Sequence, residues 1–103
     1  MRQFEIHPNP DGRSRSSFPY IVVMQSHLLT ASHSTVAAPM LRQDGRSAFT
    51  EISVTVRFQD RDYVVLVAEL AAIDTRLLTK PAGDLRSYED DFRRALDRLF
   101  TGF

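Results

Sequence analysis

The fold is decided by the C-terminal residues 84–103, which read DLRSYEDDFRRALDRLFTGF. Apolar side chains recur there every three or four residues, the spacing that places them on one face of an α-helix. Acidic residues precede basic ones, in the order that suits the helix dipole. The segment therefore predicts an amphipathic helix whose apolar stripe packs on the rest of the chain. The stripe comprises Tyr88, Phe92, Ala95, Leu96, Leu99 and Phe100.

Two signals mark the predicted ends of this helix. Ser87 with Asp90 three residues later resembles a capping box, in which each side chain satisfies a backbone amide at the helix start. Gly102 is placed to end the helix, because glycine adopts the left-handed conformation common just after a last turn. The helix is therefore expected to lie between these two signals.

The residues upstream carry patterns typical of β-strands. Residues 52–58 alternate apolar and polar side chains, and residues 62–67 are apolar almost throughout, so the tight connection at 59–61 predicts a hairpin. Pro39 confines one further strand to a sheet edge or a bulge. The pattern predicts a mainly β fold, a small antiparallel barrel or sheet with the helix packed on it. The further strands are residues 3–7, 18–25 and 36–41, and turns are expected at 8–12 and 43–46.

Length and composition bound the function. The 103 residues suffice for one domain, 1–103, with one modest core. The net charge of zero argues against binding nucleic acid by phosphate neutralisation alone. The absence of cysteine excludes a disulfide scaffold, a zinc–thiolate site and a cysteine nucleophile. No apolar run is long enough to span a membrane and the N-terminus lacks a signal peptide, so we expect a cytoplasmic protein.

No constellation of catalytic residues stands out. His7, His27 and His33 lack the spacing of a metal site, and the hydroxyls beside His33 do not make a triad, because neighbours in an extended segment point to opposite faces. Residues 13–17 (RSRSS) are interpreted as a mobile, solvated hairpin tip rather than a phosphate-binding loop. The acidic run at 89–91 is explained by the helix dipole. We therefore expect no enzyme, no metal and no cofactor.

Residues 84–103 resemble the C-terminal helix and tail of the CcdB family of toxins, and colinear resemblances run through nearly the whole chain. The resemblance implies an SH3-like antiparallel β-barrel of the CcdB/MazF type, with a small sheet insertion and a C-terminal helix, assembled as a two-fold homodimer. The matching segments are Gln3-Phe4 with Ile6, Tyr20 to Ser26, His27-Leu28-Leu29, Ala38-Pro39-Met40 and Glu69-Leu70-Ala71-Ala72-Ile73.

The same resemblance implies a function. The family's toxin binds the A subunit of DNA gyrase and traps the enzyme on cleaved DNA. A cognate antitoxin of the CcdA type wraps a disordered acidic segment around the toxin dimer, and the complex represses its own operon. Such a toxin needs no membrane and no direct contact with nucleic acid, which fits the zero net charge of this chain.

The family's gyrase contact is a Trp-Gly-Ile tail, and here Thr101 stands at the tryptophan position. Loss of an interface tryptophan costs ~2 kcal/mol, or about 30-fold in affinity. One hypothesis is that Phe103, on the same side of an extended tail as residue 101, supplies an aromatic surface; alternatively it covers the last helical turn. The resemblance assigns gyrase contacts to Leu28, Leu29, Asp97, Phe100, Thr101, Gly102 and Phe103.

Two alternatives stay open. The first is a CcdB-like protein that still binds antitoxin but has lost gyrase inhibition or moved to another topoisomerase. The second is an endoribonuclease, because MazF-type toxins share this barrel and a fold does not fix a function. An endoribonuclease needs a general base and an arginine beside the scissile phosphate, and Arg13, Arg15 and His33 are the loop candidates.

Overall fold

The computed structural model describes residues 2–26, 33–43 and 52–102. These parts contain seven strands and one α-helix, which is too short and too polar to cross a membrane. Short 3-10 helices cover Val67–Glu69, Thr75–Leu77 and Arg86–Tyr88. The main elements are β1 (Glu5–Pro8), β2 (Tyr20–Val23), β3 (Ser34–Arg42), β4 (Ser53–Phe58), β5 (Arg61–Leu66), β6 (Ala71–Asp74), β7 (Gly83–Asp84) and α1 (Glu89–Thr101).

All seven strands join one curled antiparallel sheet, a half-barrel in the order β4-β5-β3-β2-β1-β7. β6 branches off this path and pairs with residues 34–37 of β3. The predicted mainly β barrel fold with a single C-terminal helix is confirmed. The resemblance implied a small sheet insertion. In the described residues this appears as the β6 branch of the main sheet and not as a separate sheet.

The predicted hairpin is confirmed as β4 and β5. Phe58 pairs with Arg61, so only Gln59 and Asp60 form the turn. Both have positive φ, 51° and 63°, which is the conformation of a type I′ turn. This turn matches the twist of the flanking strands, although neither position holds the glycine or asparagine that adopts it most readily.

The expectation that Pro39 lies at a sheet edge or a bulge is wrong. β3 is interior, with β2 on one side and both β6 and β5 on the other. Val36 accepts a hydrogen bond from Met24 on the β2 side, and backbone groups alternate along a strand, so those of Pro39 face away from β2. Pairing with β6 ends at Ala37 and pairing with β5 begins at Met40, so no ladder bond is required of Pro39.

The core lies between the concave face of the sheet and α1. Phe92 and Ala95 are the fully covered residues of the helix, at 0% and 2% exposure. The ring of Phe92 stacks on that of Phe4, with centroids 5.2 Å apart and planes 14° from parallel. Phe4 has a φ of 69°, an unfavourable conformation for a bulky residue, and its amide donates to Val23. This stack therefore fixes the helix to the first strands.

The predicted capping box at Ser87 is wrong. The residue before α1 is Tyr88, and no side chain caps the helix there. The chain instead enters α1 directly from the 3-10 helix Arg86–Tyr88, whose first amide donates to the carboxylate of Asp84 at 3.1 Å. Because the 3-10 turn already carries the chain into a helical path, Ser87 lies inside that turn and not at its boundary.

Candidate functional site

The C-terminal end of α1 is closed by Gly102, as predicted. Gly102 has a φ of 80°, and its amide donates to the carbonyl of Arg98 at 3.0 Å. A Cβ there would meet nothing within 4 Å, so the left-handed backbone is what requires glycine. The Thr101 hydroxyl donates to the carbonyl of Asp97 at 2.6 Å, which ties the side chain back onto the helix.

Three of the resemblance-assigned residues share one exposed face at this end. Asp97, Phe100 and Thr101 lie at i, i+3 and i+4, and all three are exposed. Phe100 is 71% exposed, one of two large exposed apolar side chains among the described residues, with Leu77 at 54%. We call Asp97, Phe100, Thr101 and Gly102 the tail face.

The prediction that Phe100 belongs to the buried stripe is wrong. Eight residues advance an α-helix by about 800°, so Phe100 lies roughly 80° around the axis from Phe92. Leu96 and Leu99 remain partly buried against the core. The stripe therefore ends at Leu99, and the last aromatic ring of the described helix faces outward.

Leu28, Leu29 and Phe103, the other predicted gyrase contacts, lie outside the described residues. His27 also lies there, so the structure does not test its role. The remaining predicted contacts are gathered on the tail face, and their binding role stays a prediction.

Residues 13–17, interpreted as a mobile, solvated tip, are largely exposed, and their loop is tied down by hydrogen bonds. Asn9, only 3% exposed, donates through its amide to the Ser14 hydroxyl at 3.0 Å and to the Phe18 carbonyl at 2.9 Å. Arg15 donates through Nε to the Asn9 carbonyl at 3.0 Å. The loop is thus organised around a buried asparagine, and Arg15 has a structural contact.

Arg13 and Arg15 do not share a site with His33. Their loop leads into β2 at Tyr20, which pairs with Met40. His33 lies seven residues before Met40, just ahead of β3. At ~3.3 Å per residue along an extended strand, His33 lies roughly 23 Å from Met40. The predicted trio of endoribonuclease candidates is therefore not brought together.

His7 is a hydrogen-bonded core histidine. It is 2% exposed, with Nδ1 2.8 Å from the Thr79 carbonyl oxygen and Nε2 3.2 Å from a Glu5 carboxylate oxygen. These contacts link β1 to the segment before β7, which is a structural role. Within the described residues, no cluster of three histidine or acidic residues is arranged to hold a metal ion.

His33 instead borders a small open pocket with Asp74 and Arg76. The Arg76 guanidinium binds both carboxylate oxygens of Asp74, at 3.2 and 2.9 Å. This side-chain hydrogen bond, followed by that from the Arg76 amide, lowers the pKa of Asp74 from 3.8 to about 2. The same contact raises the pKa of Arg76.

Sequence reasoning missed the pairing of Asp74 with Arg76. An available signal was the Asp-x-Arg spacing, because an aspartate commonly accepts a hydrogen bond from the amide two residues later. The Asp74 carboxylate does so with the Arg76 amide at 3.0 Å, starting the 3-10 helix Thr75–Leu77. Local geometry alone therefore accounts for both residues.

Solved structures with this fold include mycobacterial toxins. An endoribonuclease in complex with its cognate antitoxin from a mycobacterial species has a TM-score of 0.75 and 10% identity, covering 96% of this chain and 93% of that chain. The Mycobacterium tuberculosis toxin MazF-mt6 gives 0.71 and 16%, covering 96% of each. Another Mtb toxin gives 0.67 and 16%, covering 79% of this chain and 91% of that chain. At these identities the likeness shows the fold alone.

Sequence comparison gives the family. No sequence among the curated proteins matches. The CcdB protein family, however, matches over residues 3–102, nearly the whole chain. This match agrees with the curled sheet and the single C-terminal helix. The chain therefore belongs to the CcdB family, a family of toxins of toxin–antitoxin systems.

Proposed function

We propose that this chain inhibits DNA gyrase by binding its A subunit through the tail face, without bond-making chemistry of its own. Family membership supports the toxin role. The observation that carries the choice of surface is Phe100, an aromatic side chain 71% exposed at the end of α1. Aromatic residues, phenylalanine among them, are enriched at protein interfaces relative to the rest of the surface.

Phe100 supplies the aromatic surface that Thr101 cannot. The Thr101 hydroxyl is engaged with the Asp97 carbonyl, so this side chain lies against its own helix. Phe100 is the adjacent residue and projects outward. Asp97 adds one negative charge to the same face, which suits an arginine on the target. The left-handed Gly102 then turns the chain out of the helix.

A gyrase assay tests the proposal. Purified protein is incubated with gyrase and plasmid DNA, and linear DNA is measured after denaturation of the complex. We expect the wild-type chain to trap linear DNA and Phe100→Ala to weaken this by about 30-fold, the equivalent of ~2 kcal/mol. Leu77→Ala is the matched control, because Leu77 is also exposed but belongs to the 3-10 helix Thr75–Leu77 rather than to α1. Equal activity of Phe100→Ala and Leu77→Ala would contradict the role of the tail face.

Two further variants probe the missing tryptophan. Thr101→Trp restores the indole, and we expect it to trap linear DNA at lower protein concentration than the wild type. Phe103→Ala tests the hypothesis that Phe103 offers a second aromatic surface, and unchanged gyrase binding would contradict it. A wild-type chain that traps nothing, with Thr101→Trp active, would instead support a CcdB-like protein that has lost gyrase targeting.

An endoribonuclease is the second candidate, favoured by the pocket of His33, Asp74 and Arg76. An imidazole and a guanidinium side by side are the groups that phosphodiester cleavage uses. Against it, the guanidinium is already bound to the carboxylate by two hydrogen bonds. Incubation with a mixed RNA distinguishes the candidates, because RNA fragments that disappear in His33→Ala would favour the enzyme.

We further propose a homodimer, neutralised by a cognate antitoxin with which it represses its own operon. The zero net charge supports a division in which the antitoxin holds the DNA. Light scattering after size exclusion measures the mass of the assembly, and we expect twice the 11.7 kDa of one chain. A monomer at micromolar concentration would contradict the dimer.

A further inference from the structure

His7 is a buried titratable side chain with a polar partner at each ring nitrogen. Nδ1 lies 2.8 Å from the carbonyl oxygen of Thr79, and Nε2 lies 3.2 Å from Oε1 of Glu5. Because the ring is buried, water has little access to either nitrogen. The two oxygens therefore determine where the protons of the ring must be.

These partners require a proton on each nitrogen. A carbonyl oxygen only accepts hydrogen bonds, so Nδ1 carries a proton and donates it to Thr79. An ionised carboxylate also only accepts, so the contact with Glu5 is a hydrogen bond only when Nε2 carries a second proton. In a neutral ring with this Nδ1 donor, Nε2 turns a lone pair towards the Glu5 oxygen. The arrangement is therefore that of an imidazolium ring paired with a carboxylate.

The Glu5 carboxylate has a second partner at the N-terminus. Its Oε1 accepts a hydrogen bond from the Arg2 amide at 2.9 Å, which favours the ionised carboxylate. The Glu5 amide in turn donates to the Arg2 carbonyl at 3.2 Å. These two bonds close a turn from Arg2 to Glu5 in which Phe4 has a φ of 69°. Glu5 thus connects the His7 ring to a strained turn.

The turn affects the helix through the Phe4 ring, which stacks on Phe92 of α1. A bulky residue at positive φ persists only where its surroundings hold it there. The Phe4 amide donates to the Val23 carbonyl at 2.7 Å, and Glu5 holds the turn from the other side. The contact between His7 and Glu5 therefore supports the position of the ring on which α1 rests.

Each element beside β1 contributes to the surroundings of this pair. β2 presents the apolar Ile21 opposite His7. β7 places Asp84 opposite Glu5, and a positive His7 offsets the repulsion between these two carboxylates. α1 packs on the other face of the sheet, because the core residue Ile6 alternates with His7. The cations of the neighbouring elements are the exposed Arg2, Arg15 and Lys80, and Arg86, which lies 3.5 Å from the Asp84 carboxylate.

We propose that His7 and Glu5 form a proton-dependent clasp on the N-terminal turn. A proton on Nε2 holds the Glu5 carboxylate where it accepts from the Arg2 amide. Loss of this proton sets a lone pair against the carboxylate and releases Glu5, whose side chain is already 17% exposed, to solvent. The stability that the clasp contributes is present while Glu5 is ionised and His7 is charged. It is lost as pH rises through the titration of His7.

Urea unfolding of the whole protein between about pH 6 and about pH 9 tests the clasp. The wild type is compared with Glu5→Gln, which keeps the shape of the side chain but loses its charge. We expect the ratio of their unfolding constants to change about tenfold over this range, with the wild type favoured at low pH, as for one charge-assisted hydrogen bond. A ratio that does not change with pH would overturn the proposal.

Glu89→Gln is the matched control. Glu89 is ion-paired with Arg93 on α1, and arginine does not titrate in this range. The ratio of wild-type and Glu89→Gln unfolding constants should therefore stay constant with pH. Because each comparison is a ratio, the titration of His33 and of the other groups common to both chains cancels.

NMR of the wild-type protein decides the question even if Glu5→Gln does not fold. Ring nitrogen signals report the Nε2 proton of His7, and the Arg2 amide signal reports the turn. We expect both to change with the same midpoint. His7→Asn keeps a donor for Thr79 but does not titrate, so the response of the Arg2 amide should disappear. A His7 ring that titrates without moving the Arg2 amide, or that stays singly protonated down to about pH 5, would overturn the proposal.

Discussion

Replacing Phe92 with alanine should remove the main attachment of α1 to the sheet. The Phe92 ring is fully buried and stacks on Phe4 at 5.2 Å. A buried phenylalanine removes about 150–250 Å² from water, which at ~25 cal/mol per Å² corresponds to about 4–6 kcal/mol. Substitutions of this kind cost about 3–5 kcal/mol. We therefore expect Phe92→Ala to lower the free energy of unfolding by about 4 kcal/mol.

Urea and thermal unfolding, followed by circular dichroism at one fixed protein concentration, measure this loss. We expect the Tm to fall by roughly 15–30 °C. Phe100→Ala is the matched control on the same helix, and its free energy of unfolding should change by no more than about 0.5 kcal/mol, because Phe100 is exposed. A double-mutant cycle with Phe4→Ala should give a coupling of about 0.5–1.5 kcal/mol from the stack.

If Phe92→Ala lowered the free energy of unfolding by less than about 1.5 kcal/mol, the reasoning would be refuted. A change that small is typical of a mild repacking and not of an emptied core site. It would also be refuted if Phe100→Ala were equally destabilising, because the two phenylalanines would then not differ in burial in solution. Phe92→Leu separates volume from ring stacking, and we expect it to cost no more than about 1.5 kcal/mol.

Three further changes test the turn, a tight contact and an ion pair. Asp60→Gly places glycine at a φ of 63° and should stabilise the hairpin by about 0.5 kcal/mol in urea unfolding. Gly83→Ala should cost about 1–3 kcal/mol in the same assay, because a Cβ there lies 2.8 Å from the Phe58 ring. The lowered pKa of Asp74 means that its stabilising contribution is present above pH 4 and is lost as pH falls towards 2. Carboxyl NMR titration should give a midpoint near 2 that rises towards 3.8 in Arg76→Ala, and an unmoved midpoint would contradict this cause.

The hairpin and the helix were predictable from the sequence because their side chains are periodic. Residues 52–58 alternate between core and solvent, and the spacing of Phe92, Ala95 and Leu99 places one face of α1 on the core. Gly102 was predictable because a left-handed residue after a helix favours glycine. In each case the residue that the local sequence pattern favours is also the residue that its surroundings in the fold require.

β6 and β7 could not be predicted, because their side chains carry little strand signal and their positions are set by backbone pairing. β6 carries two exposed alanines and two half-buried residues, and β7 has only two residues. Alanine and glycine are depleted in strands, so neither segment carries a signal. Their partners, β3 and β1, are set by the path of the whole sheet. Pro39 was misjudged for the same reason. A proline is tolerated at this position because β3 changes its pairing partner there from β6 to β5.

The candidate site likewise has one part that the sequence predicted and other parts that it did not. The tail face could be predicted from resemblance, because its residues all lie within the short segment 97–102 of the sequence. The orientation of Phe100 was missed, since a stripe read by spacing drifts around the helix axis over two turns. The open pocket between β4 and α1, lined by Val54, Ala95 and Arg98 among others, could not be predicted, because it depends on β4 being an edge strand and on α1 lying beside it. Chain topology, rather than residue type, creates that surface.

α1 thus presents three faces with different neighbours. One face is buried through Phe92, and Arg98 lines an open pocket beside β4. Phe100 lies two residues beyond Arg98 and therefore roughly 160° around the helix axis from it. The ring that we propose for target binding therefore lies away from both the core face of α1 and the side that faces β4, so substitution of Phe100 changes neither of those contacts.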